Sequence, residues 1–85
     1  RAVPNPFNPR TTLRFAMPVA GPATVDVFDA RGRRVRTLGA TFPAGMARLP
    51  WDGTNHDGLP QPSGVYLLRV TTPAGSLTGR CQLVR

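Results

Sequence analysis

Ten prolines and nine glycines are scattered along the whole of this 85-residue sequence, and their spread decides what it can fold into. Proline removes a backbone donor and breaks helix interiors, and glycine weakens them. No window free of both carries a sustained apolar repeat of 3.6 residues. The pattern therefore predicts an all-β chain of short strands joined by turns, with next to no helix. Its length makes one domain, near the lower limit of what a single hydrophobic core supports. Such a chain buries only a little over ~60% of the surface exposed when unfolded, so a deep catalytic cleft would consume core it needs.

The alternation of apolar and polar residues places the strands. Residues 1–10 form an extended arm ahead of a sandwich over 11–85. In the arm, Pro4, Asn5, Pro6, Phe7, Asn8 and Pro9 alternate ring-locked and polar positions around one large apolar anchor, Phe7. From Thr11 to Met17, Leu13, Phe15 and Met17 share one face of a half-buried strand. Ala23 to Phe28 is a second strand, ended by the turn Asp29-Ala30-Arg31-Gly32, where Gly32 supplies a positive φ. Closing that turn between Asp29 and Arg33 sets Val27 opposite Val35 and Asp26 opposite Arg36. A strand near Ala47–Trp51 turns Ala47, Leu49 and Trp51 inward.

After the long loop 52–63, Val65–Thr72 and Leu77–Val84 read as a hairpin around Pro73-Ala74-Gly75-Ser76. That register pairs Val70 with Gly79, Leu68 with Cys81 and Tyr66 with Leu83. The expected core is Leu13, Phe15, Met17, Val25, Val27, Val35, Leu49, Trp51, Tyr66, Leu68, Cys81 and Leu83. Six or seven strands with turn signals every eight to twelve residues describe an antiparallel β-sandwich.

Little in the sequence points to catalysis. His56 is the single histidine and lies in the polar loop, while Cys81 falls on an inward position, so no nucleophile has an evident base. There is no glutamate, no histidine cluster for zinc and no glycine-rich loop opening a helix to hold phosphate. The expectation is a non-enzyme without cofactor. The loop residues Asp52, Asn55 and Asp57 have hard oxygens that suggest a weak calcium site. Two carboxylates bind calcium poorly, however, and Asp and Asn in such a loop equally bond their own backbone, so turn chemistry is the favoured reading.

Eleven arginines against four aspartates give a formal charge of +7, with no lysine and no glutamate. Such a balance suggests affinity for polyanions, an anionic cell-surface polysaccharide included. The bland reading is codon bias, because Arg, Ala, Gly and Pro share GC-rich codons. Alternation sends Arg14, Arg34, Arg36, Arg69 and Arg80 outward, some on each sheet. Nucleic-acid binding is disfavoured, since Phe28 is the one obvious exposed aromatic for stacking and Phe42 a weaker second. The sequence has no secretory leader pattern and no apolar run approaching the ~18 residues of a membrane span. It starts at Arg1 without a methionine, as expected of a processed product or a piece of something longer. One cysteine excludes an internal disulfide.

Five segments taken in order carry a resemblance: Asn5-Pro-Phe-Asn-Pro9 with TTLRF, VDVFDARGRRVRTL, WDGTNHDG, SGVYLLRV and a strand at the C-terminus. Together they resemble the immunoglobulin-like domain named after the flagellar hook-capping protein, over nearly the whole chain. Similar modules end many secreted bacterial proteins, including those with C-terminal sorting domains of the type IX secretion system. The resemblance implies an immunoglobulin- or fibronectin III-like sandwich, secreted or held at a bacterial cell surface. It departs from the sorting pattern at Cys81, where a long apolar residue is usual, and at Arg80 and Arg85, where lysines are expected.

Physical reasons for the motif residues stand beside it. Gly32 and Gly58 occupy turns needing positive φ, and Gly64 opens a strand where a side chain would crowd Trp51. The leading expectation for function is a C-terminal sorting or attachment module that meets secretion machinery or its parent protein. The alternative is a self-assembling subunit of an extracellular filament or coat, meeting neighbouring subunits through Pro4–Pro9 or a strand edge.

Overall fold

A computed structural model describes residues 11–84. Six strands follow one another: β1 (Thr11–Met17), β2 (Gly21–Phe28), β3 (Arg34–Phe42), β4 (Gly45–Trp51), β5 (Gly64–Thr72) and β6 (Gly75–Leu83). β1 and β4 pair as a two-stranded sheet, which packs on a four-stranded sheet of order β3-β2-β5-β6. Every pairing is antiparallel. The architecture is the all-β immunoglobulin-like sandwich.

Alternation along each strand delivers the core. β1 buries Leu13, Phe15 and Met17, β2 buries Ala23, Val25 and Val27, and β5 buries Tyr66, Leu68 and Val70. Val35, Ala47, Trp51 and Leu83 complete the buried apolar set, while Leu49 and Cys81, expected inside, are only half-buried at its margin. Two aromatic pairs stitch one sheet to the other. Trp51 of β4 meets Tyr66 of β5 at 5.1 Å and 74°, and Phe15 of β1 meets Phe42 of β3 at 5.3 Å and 86°. Edge-to-face contacts of this kind contribute about 0.5–1.5 kcal/mol each beyond area burial. The polar ends of the first pair are satisfied: Trp51 Nε1 donates to the Thr54 carbonyl at 2.9 Å, and the Tyr66 hydroxyl to the Pro62 carbonyl at 2.6 Å.

Both hairpins depart from the registers expected from the sequence. At the first, Asp29 and Arg33 do close the turn, with Asp29 N donating to the Arg33 carbonyl and Gly32 N to the Asp29 carbonyl, both at 2.9 Å. Phe28 then pairs with Arg34, but Val27 pairs with Arg36 and Asp26 with Thr37, because Val35 is the extra residue of a β-bulge. The bulge inverts the phase of β3. Val35 stays inside, and Leu38 and Phe42 beyond it also turn to the core, where an unbulged strand would have sent them to solvent.

At the second hairpin, Pro73-Ala74 alone makes the turn, and the strand resumes at Gly75. Leu68 therefore faces Gly79, Tyr66 faces Cys81 and Val70 faces Leu77. A slip of two residues keeps every side chain on its expected face. Gly32 and Gly58 have φ of +85° and +78°. Nothing crowds Gly64, however. The close approach is at Gly53, φ +79°, where an added Cβ would lie 3.0 Å from a methyl of buried Leu83.

Candidate functional site

The loop between β4 and β5 is a knot of short-range hydrogen bonds. Asp52 Oδ1 accepts from the Thr54 backbone at 3.1 Å and its hydroxyl at 2.6 Å, and Asn55 Oδ1 accepts from Asp57 N at 2.9 Å and Leu59 N at 3.0 Å. These are the backbone-mimicking turns that Asp and Asn favour. The Thr54 hydroxyl is the main cause of a lowered pKa at Asp52, opposed by partial desolvation. Among the described residues no three His, Cys, Asp or Glu side chains gather where an ion would sit.

The same loop is fastened to β3. Arg36 Nη1 donates to the Thr54 hydroxyl and to the Asn55 carbonyl, each at 2.8 Å, and Thr37 N donates to His56 Nε2 at 3.0 Å. Arg36 is thus half-buried rather than outward as alternation suggested, because the bulge at Val35 swings it toward the loop. His56 caps an N–H at the edge of the four-stranded sheet, a device that blunts an open strand edge. Neither His56 nor Cys81 has the partner a catalytic group requires. Burial raises the Cys81 pKa, which keeps the thiol protonated and slow to react.

The outer face of the four-stranded sheet differs from an ordinary solvated surface. Phe28 pairs with Leu67, and Leu67 pairs on its other side with Arg80. Val65 follows on the same face, with both Val65 and Leu67 about half exposed, at 48% and 47%. Arg69 lies across the Phe28 ring at 6.0 Å from its centroid. A concavity of about 490 Å³ opens here, lined by Phe28, Leu67, Arg69, Thr78, Gly79 and Arg80 with the backbone of β5 beneath. Of these residues the sequence had singled out Phe28 and the arginines, but not Leu67 or Val65. The expected docking residues Pro4, Asn5, Pro6, Phe7, Asn8 and Pro9 lie outside the described residues.

The model of the FlgD Ig-like domain family matches residues 8–76. The chain belongs to this family. Among solved structures, FlgD from P. aeruginosa matches with a TM-score of 0.71 and 26% identity over 87% of this chain and 59% of that one. FlgD from Xanthomonas campestris, described in terms of hook capping essential for flagellar assembly, matches with a TM-score of 0.69 and 25% identity over 89% of this chain and 56% of that one. No curated protein matches the sequence. The chain therefore spans somewhat over half the length of the FlgD proteins it resembles. The family match takes in β1 to β5 whole and reaches into the start of β6.

Proposed function

We propose that this FlgD-type domain is a non-catalytic assembly module, acting through protein contacts within an extracellular flagellar hook-cap-like structure. The observation that carries the reading is the similarity to hook-capping FlgD across almost the entire sandwich. It favours the assembly alternative over the sorting role, because both solved relatives are FlgD proteins and the one from Xanthomonas campestris is described in terms of hook capping. The chemistry of the fold agrees. Its polar loop is consumed by its own turns and by β3, its cysteine is half-buried and protonated, and its open concavity is bordered by arginines rather than by paired acid and base. Under this reading the protein partners are neighbouring subunits.

Deleting this domain from the protein that contains it separates the two readings. Assembly predicts a product that is still exported while hooks fail to form in electron micrographs. Retention of the protein inside the cell would instead favour the sorting role, and normal hooks would remove the assembly role altogether.

A further inference from the structure

Most outward residues of a one-sided antiparallel sheet are polar, since only the inner face packs. On β2 and β5 that rule is broken at adjoining positions, where Phe28, Leu67 and Val65 form one apolar strip. Contiguous exposed apolar residues rimmed by charge mark a surface that meets another molecule. Here the rim is cationic. Three of the four carboxylate side chains are occupied elsewhere, Asp26 accepting from Thr37 and lying 3.8 Å from Arg34, Asp29 holding its own turn and Asp52 holding Thr54, and the fourth, Asp57, stands in the β4–β5 loop. Among the described residues no side-chain carboxylate pairs with Arg69 or Arg80.

We propose that the outer face of β2, β5 and β6, centred on Phe28 and Leu67 and bordered by Arg69 and Arg80, docks an acidic protein segment carrying apolar side chains. Charge selects this occupant. A second copy of the chain would bring another +7 to the contact and be repelled, whereas carboxylates would pair with both arginines while apolar side chains fill the concavity. Nucleic acid fits less well, because Arg69 already covers the Phe28 ring that a base would stack on. Phe28 and Leu67, at the centre of the strip, stand on the two central strands of the sheet and are paired on both sides, so they are presented rigidly. This inference rests on the assembly reading, which requires a protein partner but does not say where it sits.

The test is a titration of the isotope-labelled 85-residue chain, followed by amide chemical shifts, with a synthetic peptide alternating glutamate with leucine or phenylalanine. Saturable shifts are expected at residues 28, 65–69 and 78–80. Leu67→Glu and Arg80→Glu should each weaken the binding by about tenfold or more, the effect of losing a central contact. A lysine version of the peptide should leave the face undisturbed. Shifts centred on Arg14 and Arg48 would overturn the proposal. So would the absence of saturable shifts, an equal response of this face to single-stranded DNA, or self-association of the chain through it in sedimentation. Failure here with hooks still lost on domain deletion would overturn this face and leave the assembly reading standing. Normal hooks after deletion would overturn the assembly reading whatever the peptide does.

Discussion

Leu67 and Leu68 are neighbours on β5 and chemically identical, yet one is 47% exposed and the other 4%. Leu68 points between the sheets, beside Val27 of β2 and opposite Gly79 of β6. Leu67 points away from them, between Phe28 and Arg80. The period of two in a strand divides a single run of sequence between folding and contact. The inner set, with Tyr66 and Val70, holds two sheets together, and the outer set, with Val65 and Arg69, holds nothing within this domain that its burial would require. The difference teaches that apolar character alone does not assign a residue to the core. The face does.

Removing inner side chains should break the fold, and the largest effect is expected at Trp51. Trp51→Ala loses the contact with Tyr66 and a fully buried aromatic, at about 3–5 kcal/mol. A domain this small has a total stability of roughly 5 kcal/mol. Thermal melts should find the variant largely unfolded, and a sharp native-like transition would place Trp51 outside the core. Leu68→Ala comes next, at about 2–5 kcal/mol by urea denaturation, whereas Leu67→Ala should change stability by no more than about 0.5 kcal/mol. Equal losses at the two would erase the distinction between the faces.

Gly53→Ala sharpens the comparison at the sandwich's end. Alanine there must hold φ near +79° and press a methyl group against buried Leu83, so a loss of about 1–3 kcal/mol is expected. Gly32→Ala, at φ +85° with open space around it, should lose only the backbone part. A pair of denaturation curves decides whether packing adds to strain.

The smallest effect is on pH. The Asp29 carboxylate has a lowered pKa, chiefly from the Arg33 N–H, with the Arg31 N–H and the nearby Arg33 guanidinium adding to it against some desolvation. Asp52 is lowered through Thr54. A carboxylate whose folded pKa lies below its unfolded value contributes stability at pH above the ordinary range near ~3.9. That contribution is lost as pH falls through the folded value. Melting temperature should therefore decline below about pH 4, and less steeply in Asp29→Asn.

Much of the inner face was legible in the sequence, because alternation survives errors of register. The β5–β6 hairpin slipped by two residues and still placed Tyr66, Leu68 and Leu83 inside. The β2–β3 hairpin was less forgiving. Nothing in the sequence marks Val35 as a bulge except the pair Leu38 and Phe42 further on, which reach the core only if the phase inverts once. Arg36 followed that inversion and became a clasp for the loop. The outer face escaped notice for a different reason. Leu67 beside Leu68 looks like core doubled, and only pairing with Phe28 and Arg80 shows it belongs to a surface strip.

The division between the faces of β5 is tested most directly by Leu67→Glu in the protein that contains this domain, with melting temperature and hook assembly measured on the same variant. The account predicts a melting temperature close to that of the parent and hooks that fail to assemble. A melt as low as that of Leu68→Ala, or normal hooks from a stably folded variant, would contradict it.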